Sequence, residues 1–345
     1  MRTAHIELRP DLPYLPLLYP NLGAVAGTGK NPFVDRAFAC FNEPIVQLTD
    51  DPAQADYFLV PHEYRKVKDD TAYLARLTER TTTYGKPIVV VNYGDAPCVV
   101  DLPHSLSFVS SAYRRSIRPN ERMMPAYAED LLGQAAFVPR PKSAEPVIAF
   151  CGWSDYKNLK NALGTLVGDA IVDLRALLMV DPRIRAEKKG LTFRRAALRA
   201  LEQEPGLRPN FLIRKSYSGH VETISLPPEQ ARAEYVANMR ESDLALVVKG
   251  DGNYSYRFYE ALALGRIPLF IDTETPLPLE DVVEYDSFLL RFDYTQIHTM
   301  PQSLREWWAA ASGADIEARQ QRARSAFANY LRPDRFFAYA FEHLA

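Results

Sequence analysis

Short apolar runs alternate along the first half of the chain with a longer stretch in which apolar residues recur every three or four positions. The short runs are 57–60, 88–91 and 106–109, bounded by proline or glycine, and the helical pattern covers about 71–82. Continuous runs rich in β-branched residues are typical of strands buried on both faces, as in parallel sheets. The pattern predicts an N-terminal α/β unit.

The second half of the chain repeats this alternation. Strands are predicted at 147–150, 210–213, 243–248 and 267–271, and helices at about 160–180, 191–204, 228–241 and 255–264. From about 314 the tail reads as helical, with an interruption near Pro333. Strands that alternate with helices indicate a second doubly wound α/β sheet.

A segment rich in proline and charge, residues 138–146, separates the two halves. Such composition marks a loop or linker, and 345 residues suit two domains. We therefore predict two Rossmann-like, doubly wound α/β domains facing across a cleft. Their expected limits are 1–142 and 143–312, with helices of 313–345 packing back on the N-terminal domain.

The composition of the chain argues against several classes of function and site. The chain has 41 Lys and Arg against 43 Asp and Glu, a net charge of −2, which argues against a nucleic-acid binder. Cys40, Cys98 and Cys151 lie far apart, without the spacing of a zinc site or a disulfide framework. No histidine motif with metal-ligand spacing occurs. We expect free thiols, no bound metal and no cofactor.

The expected location follows from the apolar segments. No run approaches the roughly 20 apolar residues of a membrane span, and the first residues lack the apolar core of a signal peptide. We expect a cytoplasmic protein that contacts the inner face of a membrane only peripherally. The arginine-rich run 319–324 is either a solvated helix face or a surface that rests on anionic lipid.

The polar loop 249–254 between a predicted strand and a predicted helix is the most informative segment. A helix N-terminus offers backbone N–H groups and a dipole to an anion. Arg257 lies in the first turn of this helix, where a cation is unfavourable by about 0.3–1 kcal/mol. A bound diphosphate would reverse that sign. The alternative is a solvent-facing arginine, or one paired with Asp251 or Glu260.

Glu260 follows Arg257 on the same face of the predicted helix. It could accept hydrogen bonds from ribose hydroxyls while Arg257 faces phosphate, or the two could form a surface pair. We take the polar side chains and glycines of this segment as candidate ligands of a nucleotide: Lys249, Gly252, Asn253, Tyr254, Ser255, Arg257 and Glu260.

The same segment resembles the exostosin-type glycosyltransferases. The matching elements are Arg257, Glu260-Ala261-Leu262, Gly265, Ile267-Pro268, Leu277-Pro278-Leu279 and Tyr285-Asp286-Ser287-Phe288. Upstream, residues 55–61 are similar to the family's Ala-Asp-x-Phe-Phe-Val-Pro. Phe150-Cys151-Gly152 stands where the family often has Phe-Arg-Gly, so the family's arginine is absent here.

The resemblance implies a GT-B-type enzyme of polysaccharide biosynthesis. Its domain 1–142 would face the acceptor and its domain 143–312 would bind the nucleotide sugar. It implies transfer of a sugar from a nucleotide diphosphate sugar to a hydroxyl of a glycan or lipid-linked acceptor, with inversion and without an obligatory metal. Two alternatives remain: a fucosyltransferase-like or sugar-nucleotide epimerase enzyme of this architecture, and a non-catalytic glycan- or nucleotide-binding module.

Further candidates follow predicted strands, at the edge where open α/β sheets bind ligands. His62, Glu63 and Asp95 are candidates for the general base that deprotonates the acceptor. For each, the alternative is an ordinary cap or loop residue. The other candidates are donor ligands at the ends of two C-terminal strands: Gly152, Trp153, Arg214 and Lys215.

Overall fold

The computed structural model describes residues 1–25, 32–156, 158–214 and 226–344. These ranges form two parallel β-sheets, one in each half of the chain, with helices around them. The predicted fold class, two Rossmann-like domains facing across a cleft, is confirmed. None of the helices in these ranges combines the length and the hydropathy that crossing a membrane requires.

The N-terminal sheet has the order β2-β1-β3-β4-β5-β6, with every pairing parallel. Its strands are β1 (Thr3–Ile6), β2 (Gln47–Leu48), β3 (Tyr57–Leu59), β4 (Ile88–Asn92), β5 (Ser105–Val109) and β6 (Glu121–Met123). The helices are α1 (Tyr19–Leu22), α2 (Pro32–Ala37), α3 (Tyr64–Val67) and α4 (Thr71–Tyr84). Strands β3 and β4 are buried along their whole length, as their continuous apolar runs predict.

The C-terminal sheet has the order β11-β10-β9-β7-β8, also parallel throughout. Its strands are β7 (Val147–Trp153), β8 (Arg208–Arg214), β9 (Leu244–Val247), β10 (Ile267–Asp272) and β11 (Leu290–Asp293). The helices are α5 (Leu159–Leu178), α6 (Gly190–Gln203), α7 (Pro228–Arg240), α8 (Tyr256–Ala263) and α9 (Met300–Ala310). The strand order reverses between β7 and β9, because β8 is added on one side of β7 and β9 to β11 on the other. Open sheets of this kind form a ligand crevice at such a point.

The tail returns to the N-terminal sheet. It consists of α10 (Gly313–Ala326), a π-helical segment (Phe327–Leu331) and α11 (Pro333–Glu342). The predicted interruption is confirmed, because α11 begins at Pro333, where the missing N–H is tolerated. Phe336, Phe337 and Phe341 of α11 pack with Phe108 in the N-terminal core. The domain limits given above stay a prediction.

A loop after β5 joins the two domains beside the cleft. The Asn253 backbone N–H donates to Ser111 Oγ at 2.9 Å, and its side-chain amide donates to Ala112 O at 2.8 Å. Arg114 forms a salt bridge with Glu280 at 2.6 Å. Asn253 is buried. These contacts fix the β9–α8 loop against the N-terminal domain.

Candidate active site

The carboxyl ends of β4, β7 and β9 face a cleft with a volume of about 630 Å³. Such a volume lies within the range of about 300–1,000 Å³ that is usual for small-molecule sites. Both domains line the cleft. The N-terminal domain contributes, among others, Tyr93, Asp95, Tyr127 and Glu129, and the C-terminal domain Gly152, Trp153, Arg194, Arg214, Arg232, Tyr235, Tyr254, Ser255, Arg257 and Glu260.

Arg257 ties the start of α8 to the end of β7. Its Nη2 donates to Cys151 O at 2.5 Å, and the guanidinium lies over the Phe150 ring, 4.3 Å from the centroid. Gly152 makes this approach possible, since a Cβ there would lie 3.0 Å from Arg257 Nη2. Ser255, the N-cap residue of α8, makes no side-chain capping bond. The first turn of α8 therefore opens towards the cleft with a fixed guanidinium.

The charge of Arg257 has no carboxylate partner within the described ranges. Neither Asp251 nor Glu260 forms an ion pair with it, so both pairings considered from the sequence are absent. Its Nε is buried and has no hydrogen-bond acceptor. An orphaned buried donor costs about 1–3 kcal/mol, and a cation at a helix N-terminus adds to that cost. An anion in the cleft would remove both penalties.

Glu260 is buried in a network that joins α8 to α7 and to the N-terminal domain. Its Oε1 accepts from Arg232 Nη1 at 2.8 Å and its Oε2 accepts from the Tyr235 hydroxyl at 2.6 Å. Arg232 Nη2 donates to Glu129 at 2.7 Å. Burial and the neighbouring Glu260 raise the pKa of Tyr235 well above its ordinary value, so its hydroxyl stays a donor. Binding of ribose by Glu260 stays a prediction, and it would add to this network.

Two further arginines border the end of β7. Arg194 Nη1 donates to Trp153 O at 2.6 Å. Arg214 pairs with Glu234 and lies beside the Cys151 side chain, while its Nε is buried without an acceptor. Lys215 lies outside the described residues. With Arg257, these side chains make the C-terminal wall of the cleft electropositive.

Aromatic side chains form the boundary between the two domains. The hydroxyls of Tyr93 and Tyr256 are hydrogen-bonded across the cleft, and the rings of Tyr93 and Tyr127 lie 4.7 Å apart between centroids. Tyr254 packs edge-on against Tyr93, with 6.2 Å between their centroids. Burial raises the pKa of Tyr254, and the neighbouring Tyr256 and Asp95 raise it further. These tilted rings provide an aromatic surface of the kind on which a base or a sugar packs.

Of the three candidates for a general base, the structure places Asp95 in the cleft. Asp95 is exposed and lines the cleft next to Tyr254. Glu63 does not line it, because its side chain caps α3 by accepting from Arg65 N at 3.2 Å. Its pKa is raised by burial.

The structure corrects the expectation that His62 is a candidate general base. It is fully buried, its Nε2 accepts from Arg9 N at 2.8 Å, and its Nδ1 contacts Pro13 O at 2.9 Å. Both ring nitrogens are therefore occupied by the chain itself. Burial also lowers the pKa of His62. His62 does not line the cleft, so it cannot take a proton from an acceptor there.

Three residues of the β9–α8 loop lie behind the cleft wall, not on it. Asn253 bonds to the N-terminal loop described above, and Gly252 packs against the backbone of Asp95. Lys249 is buried, where its Nζ donates to Ala186 O at 2.6 Å and to the Tyr113 hydroxyl at 3.0 Å. Within this structure they support the cleft and do not line it.

Lys249 should make stability pH-dependent. Burial lowers its pKa from 10.5 to about 7. Between these values the unfolded chain carries a proton that the folded protein lacks, so stability rises with pH across this window. In Lys249→Met this contribution is absent. We expect the stability of the variant relative to wild type to be greatest at about pH 7 and below, and to shrink towards pH 10. Melting curves across this range measure it, and parallel curves would contradict the assignment.

Sequence reasoning missed several residues that line the cleft. Arg232 and Tyr235 lie three positions apart on α7, a spacing that places them on one helix face and could have been noticed. Arg194 on α6 and Glu129 after β6 carry no local signal. Only the tertiary fold brings them to the cleft.

Residues 179–307 match the family model of the Exostosin GT47 domain. The matched segment contains Arg194, Arg214, Arg232, Arg257 and Glu260, and thus most of the electropositive wall. No curated protein matches the chain. Among the described residues, no three His, Cys, Asp or Glu side chains cluster closely enough to hold a metal ion.

Proposed function

We propose that this chain, whose residues 179–307 match the Exostosin GT47 domain, is a glycosyltransferase that transfers a sugar from a nucleotide diphosphate sugar to a hydroxyl of a glycan or lipid-linked acceptor. The observation that carries the donor assignment is Arg257. It is a fixed guanidinium at a helix N-terminus, with a buried unsatisfied Nε and no carboxylate partner within the described ranges. A diphosphate is the ligand chemistry that meets all three conditions.

The proposed donor pose follows from the wall of the cleft. The diphosphate lies against the first turn of α8 and Arg257, in the cleft that Arg214 and Arg194 also line. Gly152 and Trp153 at the end of β7 leave room for the nucleoside. Glu260 and its partner Arg232 line the same cleft, and the proposal has Glu260 accept a hydrogen bond from the ribose there.

The proposed chemistry is a direct displacement. The acceptor oxygen attacks the anomeric carbon while the bond from that carbon to the diphosphate oxygen breaks. The electron pair of the broken bond stays on the nucleoside diphosphate, and the proton of the acceptor hydroxyl goes to Asp95. Asp95 belongs to the N-terminal domain, is exposed and lines the same cleft as Arg257. Attack from the face opposite the leaving group inverts the anomeric centre.

We propose that the leaving group is stabilised without a metal ion. Its growing negative charge is met by the guanidinium of Arg257 and by the N–H groups at the start of α8, which are already in place before reaction. Such preorganised donors gain strength in a site from which water is displaced.

A ligand screen followed by a transfer assay tests this function. UDP-, GDP- and dTDP-sugars are compared by thermal shift with CMP-sugars, which carry a single phosphate. A matching donor at a hundredfold excess over its Kd stabilises by about 2.7 kcal/mol, so a shift of several degrees is expected for one diphosphate sugar. Transfer with that donor should persist in EDTA.

Two results would contradict this proposal. Stabilisation by several nucleotides without transfer to any acceptor would support a binding module. Loss of transfer in EDTA, restored by manganese, would show that a metal carries the charge assigned here to Arg257 and α8.

A further inference from the structure

Helix α5 turns its polar side inwards and its apolar side outwards. Thr165, Asp169 and Ala176 are buried, and Asp169 accepts from Thr192 Oγ1 at 2.5 Å and from Lys189 N at 3.3 Å. The opposite face consists of aliphatic side chains that each expose more than half of their surface: Leu159, Leu163, Leu166, Val167, Ile171, Leu174, Leu177 and Leu178.

This face is too large to be incidental. A helix of 20 residues is about 30 Å long, and the aliphatic positions recur at three- and four-residue intervals along one side. Helix α5 packs chiefly on the 3₁₀ helix Pro182–Glu187. Extended exposed apolar patches on soluble proteins usually mark an interaction site.

The end of α5 gives a second, independent indication of an interaction site. Val180 has a φ of +52° and exposes 88% of its surface. A β-branched residue is strained in this left-handed conformation, which glycine adopts freely at helix ends. With Leu177, Leu178 and Met179 it forms an exposed aliphatic tip. Neither packing against the described residues nor backbone conformation accounts for valine at this position.

The chemistry of this face identifies its partner. Protein interfaces enrich aromatic residues and carry about one hydrogen bond per 100–200 Å², whereas this face is aliphatic. Its neighbouring acids are neutralised, since Asp173 pairs with Arg185 and Lys188, and Glu187 with Arg175. Lys160, exposed on the first turn of α5, forms no ion pair with any residue in the described ranges. An aliphatic face with a free cation at its edge matches an anionic bilayer.

We propose that α5 and the tip 177–180 lie in the boundary between head groups and acyl chains of an anionic membrane, with the helix parallel to its surface. Helix α5 begins six residues after Trp153, which lines the cleft. Membrane binding through α5 therefore holds the donor side of the cleft near the bilayer. An acceptor presented at that surface would reach it without the enzyme spanning the membrane.

Vesicle sedimentation of the full chain tests this proposal. The wild type should sediment with vesicles of phosphatidylcholine and phosphatidylglycerol, and less with phosphatidylcholine alone. The triple variant Leu166→Ser, Leu174→Ser, Leu177→Ser should lose binding by about tenfold or more. Val138→Ser, at an exposed linker position, is the matched control and should bind like wild type. Val180→Gly should weaken sedimentation while its melting temperature stays equal or rises, because strain is relieved.

Light scattering in the absence of lipid tests the alternative that a second copy of the chain covers α5. We expect a monomer, whereas a dimer that the triple variant dissociates would show that a second copy covers α5. Equal sedimentation of wild type and triple variant, or none by the wild type, would overturn the proposal. Neither readout uses a sugar donor, so such a failure would leave the proposed transferase activity standing.

Discussion

Replacing Arg257 with alanine should lower kcat by about 10²- to 10³-fold, the usual cost of removing one preorganised donor from a developing anion. The negative charge on the diphosphate grows as the glycosidic bond breaks, so the guanidinium is worth more in the transition state than in the bound donor. The loss should therefore appear in kcat and not only in KM.

The fold should survive this change. Within the described residues, Arg257 donates one hydrogen bond, to Cys151 O, and its buried Nε has no acceptor, so truncation removes an unsatisfied donor along with a favourable contact. Arg257→Lys keeps the charge but loses the planar guanidinium, so its kcat should lie between those of Arg257→Ala and wild type. Arg240→Ala, on an exposed position at the end of α7, is the matched control. Wild-type turnover in Arg257→Ala, or a collapse of its melting curve, would make Arg257 a structural residue.

Replacing Gly252, which lies behind the cleft wall, with alanine should distort the cleft and lower activity. The added Cβ would lie 2.8 Å from Asp95 Cα, 3.0 Å from Asp95 O and 2.7 Å from the Tyr254 ring. Two of these atoms are backbone of the other domain, so they cannot move away as a side-chain tip can. The domains must part or Asp95 must shift. Because a displacement of about 1 Å can cost about 10²-fold, we expect kcat/KM to fall to that extent.

A second glycine in the same loop is the control for this effect. At Gly250 the nearest atom to an added Cβ is Tyr254 O at 3.8 Å, an ordinary contact. Gly250→Ala should keep the wild-type free energy of unfolding, whereas Gly252→Ala should lower it by about 1–3 kcal/mol through overpacking; melting curves measure both. Small-angle scattering that shows the same domain separation in Gly252→Ala and wild type, together with unchanged kinetics, would contradict this account.

The sequence predicted the fold well where the signal is local. The run at 88–91 became β4, and the loop and helix around Arg257 became the β9–α8 unit. Strands β2 and β6 were missed because they are two and three residues long and lack an apolar run. Their backbone pairs with longer neighbours, β1 and β5, and so their existence depends on tertiary contacts.

The site shows the same division between local and distant information. Arg257 was identifiable because the polar loop, the start of the helix and the arginine are adjacent in the sequence. The partner of Glu260 was not, since Arg232 lies on another helix 28 positions away. His62 followed the rule for strand ends, yet residues Arg9 and Pro13 cover it. A sequence pattern marks the edge of a sheet and does not tell which loop folds over it.

The most direct test of the central claim is titration calorimetry with inorganic pyrophosphate, a probe that has neither base nor sugar. It measures the anion site at the start of α8 on wild type, Arg257→Ala and Arg240→Ala at low salt. A charged hydrogen bond contributes about 1.5–3 kcal/mol, so Arg257→Ala should bind pyrophosphate about 10- to 150-fold more weakly than wild type, while Arg240→Ala binds as wild type does. Equal affinity for pyrophosphate in wild type and Arg257→Ala would contradict the account.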